Sequence, residues 1–137
     1  MATLSRGGRR AILDSLIQEV GSFQVLMEFG ERLHVEGVSI RGEDGTFLGP
    51  LHDPDVFGRY AAEDSWPLIT VRMFLSFFGP QGGTYLDIGA DIGLTLVPIA
   101  NRRNVLCYGF EPAPRNFMYL SHKVQEDCPM ATPCCIS

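Results

Sequence analysis

Thr84-Tyr-Leu-Asp-Ile-Gly-Ala-Asp-Ile-Gly93, followed by Val105-Leu-Cys-Tyr-Gly-Phe-Glu-Pro112, decides how this chain folds. Tyr85, Leu86 and Ile88 lie in a short apolar run suited to a buried parallel strand. Gly89 and Gly93 bracket a tight turn into a helix, where a missing Cβ lets backbone approach a ligand. Val105 to Phe110 is a second apolar run, closed by Glu111. An acid placed about 20 residues beyond a glycine turn can accept hydrogen bonds from ribose hydroxyls. Strand, glycine turn, helix, strand and terminal acid make the first half of a nucleotide-binding βαβ unit.

The spelling of the turn separates two ligand classes. A dinucleotide fingerprint reads G-x-G-x-x-G. Here the turn is Gly89-Ala-Asp-Ile-Gly93, with Asp rather than Gly at position 91, and Asp87 stands inside the strand. Hydrophobic-Asp-hydrophobic-Gly-x-x-x-Gly resembles motif I of class I S-adenosylmethionine-dependent methyltransferases. D-I-G-A-D-I-G-L-T-L and Y-G-F-E-P-A-P-R-N-F-M-Y-L resemble the FkbM family in particular, whose members show a D-x-G-A-N-x-G loop and an F-E-P-x-P segment after the second strand. The resemblance is specific over residues 84–120 and weaker over about 50–83.

The resemblance implies a cofactor-binding set of Asp87, Gly89, Ala90, Asp91, Gly93 and Glu111, with S-adenosylmethionine as cofactor. The glycines would pass under the methionine part. Asp87, at the carboxyl end of its strand, is placed to accept from the cofactor's ammonium; a cap on the following helix is the alternative. Glu111 is acceptor-only and suits the two ribose hydroxyls. Asp91 departs from the family's Asn by losing a donor and adding a negative charge. The implied reaction is O-methylation of a sugar or natural-product hydroxyl, so the expected partner is a small-molecule or glycan acceptor. His34, His52 and His122 are candidate bases by residue type only, and no catalytic residue is assigned.

Composition narrows the partners. The chain has 137 residues, 45% apolar and 20% charged, which describes a globular protein. A formal net charge of −5 argues against a nucleic-acid partner. The apolar stretch from Trp66 to Phe78 is broken by Arg72 and is too short to span a membrane. The N-terminus lacks the apolar region of a secretory signal. Arg6, Arg9 and Arg10 open an amphipathic helix, with a transit peptide as the alternative reading. A cytoplasmic location is the default. Cys107 reads as a small core residue. Cys128, Cys134, Cys135 and His122 match no zinc spacing, so no metal site is expected. Cys134-Cys-Ile-Ser137 matches a prenylation signal, but no basic run supports it.

The organisation follows from periodicity. Ile12, Leu13, Leu16, Ile17 and Val20 give one apolar stripe to a helix over 10–29. Val38–Arg41 and Thr46–Leu48 flank Gly42-Glu-Asp-Gly45 as a β-hairpin. A short helix is expected over 55–63. A longer one starts at Asp64 or Ser65 and stops at Gly79-Pro80, with Trp66, Ile69, Met73, Phe74, Phe77 and Phe78 on one face that packs on a sheet; the resemblance implies that the segment before the first strand borders the cofactor pocket, which makes Trp66 or Tyr60 the alternative ligand contacts. A helix over 92–102 should kink at Pro98. After Val105–Phe110, Pro112 and Pro114 delay a helix carrying Phe117, Met118, Leu120 and Val124.

The expected fold is therefore α/β: the N-terminal half of a Rossmann-like three-layer methyltransferase domain, with two parallel strands and flanking helices, preceded by a helix and a hairpin. Its parts are an extension over 1–52, a partial cofactor-binding domain over 53–127 and an irregular tail over 128–137. The family's sheet has seven strands in the order 3-2-1-4-5-7-6. Two of these are read here, and the tail resembles no third, so the chain reads as truncated and catalytically incomplete. Competing readings are a non-catalytic half-fold interaction module and a fragment of a dinucleotide-binding oxidoreductase.

Overall fold

The structure is a computed structural model that describes residues 23–63, 66, 68–102 and 104–135. It divides into two compact units, Met1–Asp64 and Ser65–Ser137. Residues 10–22 of the expected first helix, and the last two residues of the Cys-Cys-Ile-Ser segment, lie outside the described residues.

The first unit contains helix α1 (Phe23–Leu33), the hairpin β1 (Gly37–Gly42) and β2 (Gly45–Pro50), and helix α2 (Phe57–Glu63). The hairpin is antiparallel, with Gly42 opposite Gly45 across the two-residue turn Glu43-Asp44. Alternation puts Val38 and Ile40 of β1 and Phe47 of β2 into the core. Asp53 starts α2: its carboxylate accepts the amides of Asp55 (3.1 Å), Val56 (3.0 Å) and Phe57 (3.3 Å). Tyr60 is fully buried between Phe47, at 5.3 Å between ring centroids, and Phe57, at 6.3 Å.

The second unit runs α3 (Leu68–Leu75), β3 (Gly83–Ile88), α4 (Leu96–Arg102), β4 (Val105–Glu111), α5 (Pro114–Asp127) and β5 (Ala131–Cys135). The sheet order is β3-β4-β5 and both pairings are parallel. Asp87 lies beside Gly109 and Ile88 beside Phe110. The expected α/β fold with parallel strands and flanking helices is present, built as two successive β-α-β crossovers.

The segment expected to be an irregular tail forms a third parallel strand instead. Ala131 pairs with Cys107 and Cys134 with Phe110. Pro133 is compatible with this place, because β5 is an edge strand among the described residues and a missing N–H is tolerated there.

Two further expectations change. Helix α4 begins at Leu96, so Pro98 falls in its first turn, where amides have no intrahelical partner and no kink is required. In α3 the buried side is carried by Val71, with Phe74 against Tyr85 at 5.3 Å between centroids. Ile69, Met73 and Phe77, read as part of the buried face, are exposed. Ser76, Phe77 and Phe78 leave the helix in short turns that bond back to Met73, Phe74 and Leu75.

All three helices lie on one face of the sheet. Tyr85 on that face meets α3, and a Cβ added at Gly109 would lie 3.0 Å from Leu96 of α4 and 3.4 Å from Leu120 of α5. Val105, Cys107 and Gly109 are buried beneath them, and Val97, Ile99, Leu120 and Val124 fill the space between. Cys107 is thus a core residue, and burial, with Cys128 and Asp87 nearby, pushes its thiol up to about 12. The opposite face carries Leu86, Ile88 and Leu106, all exposed.

Candidate functional site

The loop between β3 and α4 is tied to the end of β4. The Phe110 carbonyl accepts the amides of Gly89 (2.8 Å) and Ala90 (3.0 Å), and Gly93 N–H donates to the Ala90 carbonyl (2.8 Å). Three residues of this loop take positive φ: Gly89 at φ 82°, Asp91 at φ 51° and Gly93 at φ 93°. The two glycines do different work. A Cβ at Gly89 would meet nothing within 4 Å, so this turn opens onto free space. A Cβ at Gly93 would lie 2.9 Å from Leu120 and 3.3 Å from Val97, so Gly93 lets the loop close on α4 and α5. Ala90 is buried against Gly109.

Glu111 is brought to this bend. It is 5% exposed, and its carboxylate is shared between two backbone donors: Oε2 accepts from Asp91 N–H at 2.8 Å and Oε1 from Ala113 N–H at 2.8 Å. Each oxygen has two lone pairs, so each retains acceptor capacity for a further hydroxyl. The Ala113 bond does the work of a helix cap, since Ala113 precedes α5 and has no side-chain cap of its own. Asp91 is half-buried, and its Oδ1 accepts from Asn116 Nδ2 of α5 at 2.6 Å. The Asp91 side chain is thereby engaged by α5.

Asp87 stands on the helix-covered face of β3, half-buried beside Tyr85. Burial raises its carboxyl above the ordinary value of 3.8, and a hydrogen bond from Tyr85 offsets part of that rise. The Tyr85 hydroxyl is itself pushed up by burial and by the neighbouring Asp87 carboxylate. Trp66 Nε1–H donates to Thr95 Oγ1 at 2.9 Å, which fixes the indole beside the start of α4. Tyr60 has no such placement: its hydroxyl donates to the Gly45 carbonyl at 3.3 Å within the first unit's core.

Asp87, Gly89, Ala90, Asp91, Gly93 and Glu111 therefore come together at the carboxyl ends of β3 and β4. Asn116 and the Ala113 amide complete the arrangement and carry no signal in the sequence beyond following the F-E-P-x-P segment. Of the histidines, His52 is exposed at 3.9 Å from Glu31, and His122 is exposed at 3.4 Å from Glu126. Among the described residues no group of three or more His, Cys, Asp or Glu could hold a metal ion. No helix among them is long and apolar enough to cross a membrane.

No family model matches the sequence, and no curated protein matches it. The fold is similar to the crystal structure of M. jannaschii TYW2 in complex with AdoMet, with a TM-score of 0.54 at 17% identity. The likeness covers 73% of this chain and 43% of that chain, so the chain spans less than half of the neighbour's length. The likeness shows a Rossmann-like α/β fold for this chain.

Proposed function

We propose that this chain carries the S-adenosylmethionine-binding part of a methyltransferase of the FkbM type, acting on a hydroxyl of a sugar, glycan or natural product. One observation carries the reading: the Glu111 carboxylate sits on the Asp91 amide, 2.8 Å away, so the acid ending β4 meets the glycine bend ending β3. Open α/β sheets bind ligands at the carboxyl ends of their strands. The likeness to an AdoMet-bound structure supports the same assignment.

The residues present fit the cofactor. Gly89 leaves open space where a side chain would intrude. Glu111 keeps acceptor positions for two ribose hydroxyls. Asp87, with Ala90, Asp91 and Gly93 shaping the loop beside it, offers an anion to an ammonium. When bound, the cofactor supplies a methyl group on a sulfonium. The chain's own contribution is to hold that end in place, because such transfers depend chiefly on placing the acceptor at about 3–3.5 Å on the displacement axis. No base is assigned to the acceptor.

Isothermal titration with S-adenosylhomocysteine tests this. The wild-type chain saturates, and Glu111→Gln, which replaces one acceptor oxygen by an amide, weakens binding about tenfold or more. NADH produces no response. A wild-type chain that takes up neither S-adenosylmethionine nor S-adenosylhomocysteine, while remaining folded by circular dichroism, removes the reading. It would leave the half-fold interaction module, which the exposed Leu86, Ile88 and Leu106 favour.

A further inference from the structure

We infer that Asn116 is a positioning residue: it holds Asp91 in the left-handed turn and so keeps the glycine bend closed on Glu111. The inference rests on the cofactor-binding reading for its functional consequence, and on the hydrogen bonds alone for its structural one. Three contacts form a chain across three elements. Asn116 Nδ2 of α5 donates to Asp91 Oδ1 at 2.6 Å. Asp91 N–H donates to Glu111 Oε2 at 2.8 Å. Glu111 Oε1 accepts from Ala113 N–H at 2.8 Å, just before α5 begins. The loop, the end of β4 and the first turn of α5 thus close a ring.

Chemistry fixes the direction of the first bond. An ionised carboxylate only accepts, so the Asn116 amide must present its nitrogen. The bond is charge-assisted, the stronger kind. Asp91 needs such an anchor. At φ 51° it occupies a region that costs an L-residue roughly 1–2 kcal/mol, and Asp and Asn enter it because a local polar partner compensates. That conformation aims the Asp91 amide at Glu111. The Asn116 amide thus ties the Asp91 carboxylate to α5.

The ring also assigns Asp91 a role that its charge alone does not suggest. Its side chain serves the helix and its backbone serves Glu111. An Asn at this position keeps a carbonyl oxygen for Asn116 to donate to, so either residue satisfies the ring.

The test uses the full 137-residue chain, isotopically labelled, with amide exchange read by nuclear magnetic resonance and affinity read by titration with S-adenosylhomocysteine. In the wild type the Asp91 amide is protected. Asn116→Ala lowers that protection, and the affinity, about tenfold, as loss of one hydrogen bond to a charged group implies. Asn116→Asp sets two carboxylates face to face and lowers both further. The double variant Asp91→Asn with Asn116→Asp exchanges donor and acceptor and recovers both. An Asn116 that acts other than through the Asp91 side chain would not be rescued by that exchange. Unchanged Asp91 protection in Asn116→Ala, or a folded double variant that recovers nothing, overturns the inference. If the wild type fails to bind while the exchange pattern holds, the cofactor reading falls and the ring stands. If all variants bind like the wild type, the ring's role falls and the cofactor reading stands.

Discussion

At the scale of single residues, the two glycines of the bend look alike in sequence and differ in structure. Both have positive φ, so alanine at either position pays about 1–2 kcal/mol of backbone strain. Gly89→Ala adds only that strain, because its Cβ enters open space. Gly93→Ala adds contacts of 2.9 Å to Leu120 and 3.3 Å to Val97, which must be relieved by repacking. Gly93→Ala should therefore lower the denaturation midpoint more than Gly89→Ala, and Gly89→Ala should lose more S-adenosylhomocysteine affinity per unit of stability lost. Asp87 makes a second residue-scale prediction. Its folded pKa lies above the ordinary 3.8, and the chief cause is burial. Below 3.8 folded and unfolded chains both hold the proton. As pH rises, the unfolded chain releases it first, so stability falls until the folded carboxyl also ionises, and is then flat. Asp87→Asn should raise the melting temperature at pH 7 relative to wild type, with the gain vanishing below about pH 4, in scanning calorimetry. The same variant should bind S-adenosylmethionine more weakly, since the anion offered to the ammonium is gone.

At the scale of elements, legibility followed the length and spacing of the pattern. Strands β3 and β4 were readable because each is a compact apolar run closed by a distinctive residue, Gly89 or Glu111. The hairpin was readable from Asp44-Gly45 between two runs, and α2 from the short span after Pro54. Strand β5 was not. Its five residues, Ala131-Thr-Pro-Cys-Cys135, are too few to show a period, and Pro133 argues for a loop unless the strand lies at an edge. With it, the order β5-β4-β3 matches the 3-2-1 portion of the order implied by the family resemblance. Helix α3 was found but turned wrongly: its apolar residues wrap most of the circumference, so spacing alone could not say that Val71 faces inward while Ile69, Met73 and Phe77 face solvent. At the site, sequence placed the acid and the bend at one rim, because a strand-end residue and a strand-end loop are neighbours whenever two parallel strands are in register. It did not show what Glu111 touches. Those partners are backbone amides of Asp91 and Ala113, which every residue type but proline carries, so no spacing advertises them.

At the scale of the molecule, the sheet of the second unit is asymmetric, and that asymmetry can be measured. On the face beneath α3, α4 and α5, Val105 and Cys107 are completely buried. On the other face Ile88 is 73% and Leu86 58% exposed, among the described residues, although both belong to the apolar run of β3. A parallel strand is ordinarily covered on both sides, which is why such strands read as continuous apolar runs. The run in β3 is thus written for two covered faces, and these residues cover one. The cost of a charge should differ accordingly. Leu86→Lys and Ile88→Lys, singly or together, should each move the urea-unfolding free energy by no more than about 1 kcal/mol, the range of surface and strand-propensity effects. Val105→Ala, which removes two methyl groups from a fully packed position, should cost about 2 kcal/mol. Equal losses from the two kinds of substitution would mean that the Leu86–Ile88 face is covered in solution. A small loss there beside a large one at Val105 would mean that the helices of this unit alone hold the sheet, with the bend and Glu111 at its carboxyl end.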